Sequence, residues 1–541
     1  MPAMTEMKKQ KARQTLRVAF ADGRETEIEA PEGVSLAQAL FLAGLGPRGP
    51  LCAGLGRCGR CRVRYLGKPP RPLPAEERLL DEDALARGER LSCLREARPG
   101  EHVMLPAEPP APDAPPPMAA TEAPLALAVD LGTTSLCWAS LAGGEVHSAG
   151  QEVNPQAGAG AEIMSRLALA AKGHGAYLQG LVLDRLRALV AAQPGAVRQL
   201  CVAGNSAMTY LLLGLPVDGL ARAPYALTER GGRELTLAGD LPPAYIPPLL
   251  GPFIGADVSA GLTALHLAPG GPPKPPWLLA DLGTNAEFVL VLSEREYLAA
   301  SVPLGPALEG AGMRCGVLAG PGAITAFELT AAGLRPRLFD APGAPSGPLG
   351  STGSPGPQVE PTGLAGTAYL SLAAQLLFAG VLTPGGRFAA GLTPLAAKLA
   401  ATLEARGGRL VMRLPLGFWL EAQDVEELLK VKAAFNLAVS KLLAEAGLAS
   451  SALTAVYLSG ALGSYARPGD LARLGFLPPG LEARLHTPGN TSLAGAELLV
   501  QDGPARTYAV SLPDKVRVLD LTAAPDFQNE FVSRMRFAYV R

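Results

Sequence analysis

The tetrapeptide Asp130-Leu131-Gly132-Thr133 recurs as Asp281-Leu282-Gly283-Thr284, and each copy closes an apolar run, Leu125 to Val129 and Trp277 to Ala280. A strand that ends in Asp and turns through Gly-Thr gathers three phosphate-handling groups. The carboxylate holds Mg2+, usually through water, because that ion dehydrates reluctantly. The glycine lets the backbone come close to a phosphate. The N–H groups and hydroxyls that follow donate to its oxygens. One such turn is ordinarily a tight hairpin. Two copies, one in each half of the chain beyond position 124, predict two related lobes with a nucleotide between them.

On this reading Asp130 and Asp281 serve the metal and the phosphates. Gly132, Thr133, Thr134 and Ser135 bind nucleotide from the first turn, and Gly283, Thr284 and Asn285 from the second. A third piece, Val456 to Ser464, reads as a strand entering a glycine-rich turn, with Gly460 and Gly463 placed to cradle adenosine. Gly305 to Gly312 adds Glu309 and Gly310 to the nucleotide-binding set. Asp130, Asp281 and Glu287 form the candidate catalytic set, with Asp257 and Glu309 as open alternatives for orienting the attacking water. A capping or salt-bridged role is the competing reading of Glu287, Asp257 and Glu309. Gly-x4-Gly-Lys-Ser/Thr is absent, which excludes a P-loop ATPase.

Ahead of both turns stands Cys52-x5-Cys58-x2-Cys61, with Cys93 after a further thirty-one residues. Thiolates are soft ligands that suit iron or zinc. Zinc motifs usually come as two close pairs. Here three cysteines cluster and one stands alone, as in the loop that holds a two-iron, two-sulfur cluster. Gly54, Gly56 and Gly59 suit a tight loop whose amides face the sulfides. Cys52, Cys58, Cys61 and Cys93 are therefore the expected metal ligands. Gly54-x-Gly56-x-x-Gly59 formally matches a dinucleotide fingerprint, but lacks its strand–turn–helix setting. Arg57, Arg60, Arg62 and Arg64 surround the loop as a basic collar. Cys137 and Cys201 read as small buried apolar residues, while Cys315 lies in a glycine-rich loop.

Around the cysteines the pattern is that of a small α+β domain over 14–105. Leu16 to Phe20 and Glu25 to Glu29 alternate as strands, Ser35 and Gln38 form a capping box, and Cys61 to Tyr65 and Glu101 to Leu105 resume strands. A proline-rich linker follows over 106–124, reaching ~50 Å if in polyproline form, either as a spacer or as a tether. Then come a first ATPase subdomain over 125–207 and a C-terminal ATPase domain over 208–541. Pro336 to Gly366 reads as a low-complexity insertion, and Asp526 to Val532 as a short closing helix.

Lys and Arg number 48 against 49 Asp and Glu, a balance that argues against a nucleic-acid or membrane-surface binder. No apolar core follows the basic N-terminus, so no signal peptide is expected. Thr362 to Gly386 is uncharged but interrupted, and reads as a buried helix. A cytoplasmic location is expected, where closely spaced cysteines act as ligands rather than disulfides.

The paired turns resemble those of the sugar kinase, heat-shock chaperone and actin superfamily. Joined to the cysteine loop, they make the chain similar to the reductive activators of corrinoid proteins. Gly204 to Met208, Phe253 to Asp257, Gly305 to Gly322 and Gly489 to Ser492 look like further blocks of that family. The resemblance implies a ferredoxin-like β-grasp domain joined to a two-lobed actin-like ATPase of duplicated ribonuclease-H-like fold. It implies a 2Fe-2S cluster, ATP and Mg2+. It also implies a corrinoid protein of a methyltransferase system as partner, an upstream electron donor and a homodimer. One electron would pass, driven by ATP, to a Co(II) corrinoid and restore Co(I). None of the five His sits in Asp-x-His-x-x-Gly, so the corrinoid belongs to the partner. The alternatives are a redox-sensing ATP-binding regulator and an activator of a radical dehydratase-type enzyme. A small-molecule kinase would have no use for a cluster.

Overall fold

The computed structural model describes residues 13–45, 52, 54, 56, 58–106, 123–160, 162–305, 307, 312–339, 360–406, 409–460, 466–501, 503–523 and 525–540. They form two compact units that divide within the proline-rich stretch, residues 158–160 grouping with the first. Residues 107–122 of the expected linker and 340–359 of the expected insertion lie outside the described residues.

In the first unit β1 (Arg13–Ala19) and β2 (Glu25–Pro31) form an antiparallel hairpin. The helix α1 (Leu36–Leu42) starts where the Ser35 hydroxyl accepts from the Gln38 amide at 3.2 Å. β3 (Arg62–Tyr65), α2 (Pro74–Leu79), α3 (Glu82–Ala86), β4 (Glu89–Leu91) and β5 (His102–Met104) follow. The sheet order β2-β1-β5-β3-β4, with β1 and β5 parallel at its centre, is a β-grasp. Strand alternation sends Leu16, Val18, Val63 and Val103 to one face, where Leu36 and Leu40 of α1 cover them. Each such burial stabilises by about 1.5–3 kcal/mol. Glu76 is fully buried, yet its carboxylate pairs with Arg95 and accepts the amides of Leu73 (2.8 Å) and Leu91 (2.9 Å). Those partners make a buried charge tolerable, and they tie α2 to β4 and to the turn carrying Cys93.

The second unit begins with an antiparallel meander, β6 (Leu125–Leu131), β7 (Ser135–Ala142) and β8 (Glu145–Val153). The helices α4 (Ile163–Leu169) and α5 (Gly175–Ala191) lead to β9 (Val197–Gly204), parallel to β6. Next come α6 (Ser206–Leu213), α7 (Asp218–Ala221), β10 (Arg233–Leu235), β11 (Ala244–Ile246) and α8 (Ala256–His266). The sheet runs β10-β11-β9-β6-β7-β8, so it extends past position 207 to Ile246.

The pattern then repeats. β12 (Trp277–Leu282), β13 (Asn285–Val291) and β14 (Tyr297–Pro303) form a second meander. Strand Ala455–Ser459 lies parallel to β12, as β9 lies beside β6. Two meanders, each with a parallel strand at the same edge, constitute the duplicated lobes expected from the repeated tetrapeptide.

The lobes are laced by exchanged helices. Val258 and Leu262 of α8, which leaves the first sheet, pack on Trp277 and Leu279 of the second. Ala496 and Leu499 of helix Thr491–Leu499, which leaves the second, pack on Ala128 and Ala203 of the first. The two helices touch where a Cβ at Gly495 would collide with the Ala260 carbonyl. Most of the apolar stretch at 362–386 is helix Gly366–Phe378, buried among Leu428, Val431 and Phe435 of helix Ala422–Glu445. Among the described residues no helix is long and apolar enough to cross a membrane. The closing helix is Phe527–Ser533.

Candidate functional site

The loop between α1 and β3 sets three thiols beside the fourth. Cys52, Cys58 and Cys61 are 3%, 7% and 4% exposed, and Cys93 is half-buried among Leu80, Ala84 and Leu91. They stand as two pairs, Cys58 hydrogen-bonded to Cys52 and Cys93 to Cys61. Those bonds and burial push the Cys58 and Cys93 thiols far up, while the bond from Cys93 holds Cys61 down. Four thiolates so close need a cationic centre to share their charge. Zinc would want all four about one ion. Among the described residues no three His, Cys, Asp or Glu converge closely enough on one point for a single ion. Two thiol pairs suit two irons, two thiolates to each. Gly54, Gly56 and Gly59 all have positive φ, and a Cβ on Gly56 would stand 2.7 Å from Leu94. The donor set fits a two-iron cluster. In the basic collar Arg62 donates to the Gly59 carbonyl at 3.0 Å, and Arg57 lies outside the described residues.

The two tetrapeptides meet at a cleft of about 180 Å³ between the lobes. Asp130, Gly132, Thr133, Ser135, Asp281, Gly283, Thr284, Asn285, Glu287 and Gly460 all line it, and so does Asp257. Thr134 turns aside, its hydroxyl 3.2 Å from that of Thr284, so the turns touch each other directly. Gly460, at the end of strand Ala455–Ser459, has φ +81°, and a Cβ there would stand 2.8 Å from the Asp281 carboxylate. Glu309, Gly310 and Gly463 lie outside the described residues.

Four carboxyl groups face one another in this cleft. Burial, then Asp257 and Asp130, push Asp281 up to about 8. Burial and the Asp130 charge push Asp257 up to about 7. Burial and the charges of Asp257 and Asp281 raise Glu287 well above the carboxylate range. Asp130 is raised by burial and partly restored by Asn490 and Ser492. Among the described lining residues there is no Lys, Arg or His. A phosphate can enter such a site only with a cation. Among the described residues no three acids stand as a group able to hold an ion directly, an arrangement that suits a hard divalent cation kept in its water shell. The donor set fits hydrated Mg2+ with a nucleotide phosphate.

Several contributors are invisible to local pattern. Asn490 and Ser492 bond the Asp130 carboxylate at 2.7 and 2.9 Å from the far end of the chain. Asn205 caps α6 and donates to the Thr133 hydroxyl at 3.0 Å. The available signal was a strand ending in Asn before a small-residue helix start, at Gly204-Asn205-Ser206 and again at Gly489-Asn490-Thr491. One expectation needs correction. Cys137 is not simply buried apolar filling: it is half-buried, pairs across the sheet with Asp130 and lines the cleft. Cys201 is fully buried as expected.

Comparison with known proteins places both units. Residues 19–98 match the model of the 2Fe-2S iron-sulfur cluster binding domain. Residues 125–269 match the RACo middle region, and 276–540 the C-terminal, ASKHA domain of RACo. The "[Co(II) methylated amine-specific corrinoid protein] reductase" of Methanosarcina barkeri is 28% identical over 54% of this chain and 51% of its own, so the match spans about half that relative. The corrinoid activation enzyme RamQ of Eubacterium limosum is 24% identical over 76% of this chain and 70% of its own. A solved structure titled as a reductive activator for a corrinoid, iron-sulfur protein superposes with TM-score 0.66 at 20% identity, covering 96% of this chain and 98% of that one. With a cluster-binding β-grasp unit joined to a two-lobed ASKHA unit, the chain belongs to the RACo family of reductive activators for corrinoid proteins.

Proposed function

We propose that this protein is an ATP-dependent reductive activator whose substrate is the Co(II) corrinoid of a partner methyltransferase protein and whose product is Co(I). The observation that carries the reading is the coexistence, in one chain, of two buried thiol pairs and a carboxylate cleft built from two phosphate turns. The names of the relatives, a corrinoid protein reductase and a corrinoid activation enzyme, support the substrate class.

Cys52 with Cys58, and Cys61 with Cys93, hold the cluster. When bound it supplies a one-electron carrier, typically near −400 mV in plant-type domains. Each ~59 mV that the acceptor lies below this costs tenfold in equilibrium. Nucleotide can offset that only by favouring one arrangement of the chain over another. Asp130 and Asp281 hold the hydrated Mg2+ of Mg-ATP, and the amides of Gly132 to Ser135 and Gly283 to Asn285, with the Thr133 and Ser135 hydroxyls, hold the phosphates. Glu287, beside the second turn and in reach of the Ser301 hydroxyl at 3.4 Å, orients the hydrolytic water. Asp257 stabilises the protonated forms of its neighbours until the cation arrives.

The test mixes the anaerobically prepared protein with a Co(II) corrinoid protein, a low-potential reductant and Mg-ATP. Co(I) absorbance should develop, and much faster with ATP than without. Its failure to appear under any nucleotide condition would overturn the activator reading in favour of a redox-sensing regulator.

A further inference from the structure

We propose that Arg166, with Asn154, is a positioning residue that presets the first phosphate turn for nucleotide. The inference rests on the nucleotide reading of the cleft. Arg166 lies on α4 and is 0% exposed, an uncommon place for a guanidinium. Its Nη2 donates to the Thr133 carbonyl at 2.5 Å and its Nη1 to the Met208 sulfur at 3.2 Å. Asn154, just beyond β8, donates from its side chain to the Gly132 carbonyl at 2.6 Å and from its backbone to the Thr134 carbonyl at 2.9 Å. Three successive carbonyls of one turn are thus held by the stretch from 154 to 166.

A trans peptide is planar, so its N–H points opposite to its C=O. Drawing the Gly132 and Thr133 carbonyls toward Asn154 and Arg166 therefore aims the N–H groups of Thr133 and Thr134 the other way, to the cleft side of the turn. A charged donor sets that direction more firmly than a neutral one. A guanidinium suits the task because its planar fork serves the carbonyl and the sulfur from one rigid plane. Neither Arg166 nor Asn154 lines the cleft, so each acts through the turn and not on the nucleotide.

The experiment measures Mg-ATP affinity on the full chain. Arg166→Ala should weaken binding at least tenfold, and millimolar guanidinium should restore most of the loss by refilling the vacated space. Arg166→Lys should recover part of it. Leu186→Ala, a fully buried core truncation on α5 that does not line the cleft, serves as the stability control and should leave affinity unchanged at a matched loss of melting temperature. If Arg166→Ala does not fold, Arg166→Lys and Asn154→Ala carry the test, each with a several-fold loss. Unchanged affinity in the folded variants overturns the proposal, as does a loss that guanidinium leaves untouched and Leu186→Ala reproduces. A wild-type chain that ignores Mg-ATP overturns the nucleotide reading beneath it. A wild-type chain that binds beside variants that bind equally overturns this inference alone.

Discussion

The two phosphate turns share four residues and almost nothing of their support. At the first, Asp130 accepts from Asn490 and Ser492, the Thr133 hydroxyl accepts from Asn205, and three carbonyls are held by Asn154 and Arg166. At the second, Asp281 has the Ser459 hydroxyl. The backbone there closes mainly on itself, with the Gly283 amide on the Asn285 carbonyl at 2.9 Å and the Leu304 amide on Thr284 at 3.2 Å. The donors partly restore Asp130, whereas Asp281 is pushed up to about 8 by burial and by Asp257 and Asp130. The same tetrapeptide therefore yields a turn already set for phosphate and a turn whose carboxylate waits for a cation. Two halves that copy a fold need not copy its electrostatics.

Removing each carboxylate in turn presses hardest on this contrast. Asp281→Asn should lower Mg-ATP affinity and turnover by about 100-fold or more, because the cation loses its main charge. The same variant should make the cation-free chain more stable, since an acid that resists ionisation has gone. Asp130→Asn should cost binding comparably but destabilise the apo fold, because Asn490 and Ser492 lose the carboxylate they donate to. Melting curves and equilibrium binding on both variants check this. Matching stability changes of one sign would abolish the distinction.

The pH dependence follows from the same groups. Asp281 and Asp257 ionise near 8 and 7 in the fold and near 3.8 when unfolded. Between those limits the folded chain keeps protons that the unfolded chain has released. Stability is therefore full at low pH and declines as pH rises toward 8, at up to about 1.4 kcal/mol per unit and group. Without divalent cation the second unit should melt at lower temperature at pH 8.5 than at pH 6. Mg2+ with nucleotide should narrow the gap, because the cation favours the ionised forms. A cation-free melting temperature that climbs across that range would refute the assignment.

A smaller effect separates the supports of the two carboxylates. Asn490→Ala removes a direct donor to Asp130, and Ser459→Ala removes the hydroxyl beside Asp281. Leaving a buried acceptor short of one partner costs about 1–3 kcal/mol. Asn490→Ala should pay this at any pH where Asp130 is ionised. Ser459→Ala should cost the buried Thr491 hydroxyl and amide their partner at either pH, and should cost more once the pH passes about 8, where Asp281 begins to need a donor. Calorimetry at pH 6 and pH 9 compares them, and equal losses at both pH values would mean the two acids are in the same state.

These differences explain what the sequence could and could not disclose. The tetrapeptides, the cysteine spacing and the strand alternation of β1 and β2 are local, and their physical meaning survives without the fold. The Asn490 bond to Asp130 spans 360 positions, and no periodicity encodes it. Arg166 sits on a short helix where a charge is normally solvated, so only packing reveals that it is buried. The choice among Glu287, Asp257 and Glu309 depended on which lobe surfaces converge. Glu287 and Asp257 enter the same cleft, which neither their neighbours nor their spacing announces.

The smallest expected change is the most discriminating for the chain as a whole. Both turns belong to one compact unit and the four thiols to the other. Cys58→Ser breaks one thiol pair, so the cluster should fail to assemble and its visible absorption should vanish. The carboxylates that govern nucleotide binding are raised by burial and by one another, with no thiol among the causes. Mg-ATP affinity should then stay within about twofold of wild type, and the stability difference between pH 6 and pH 8.5 should persist unchanged. A collapse of affinity in Cys58→Ser would mean that the state of the thiol site reaches the first or the second turn. Repeating the measurement in Arg166→Lys and Ser459→Ala backgrounds would then tell which, since only the turn that receives the signal should lose its dependence on the cluster.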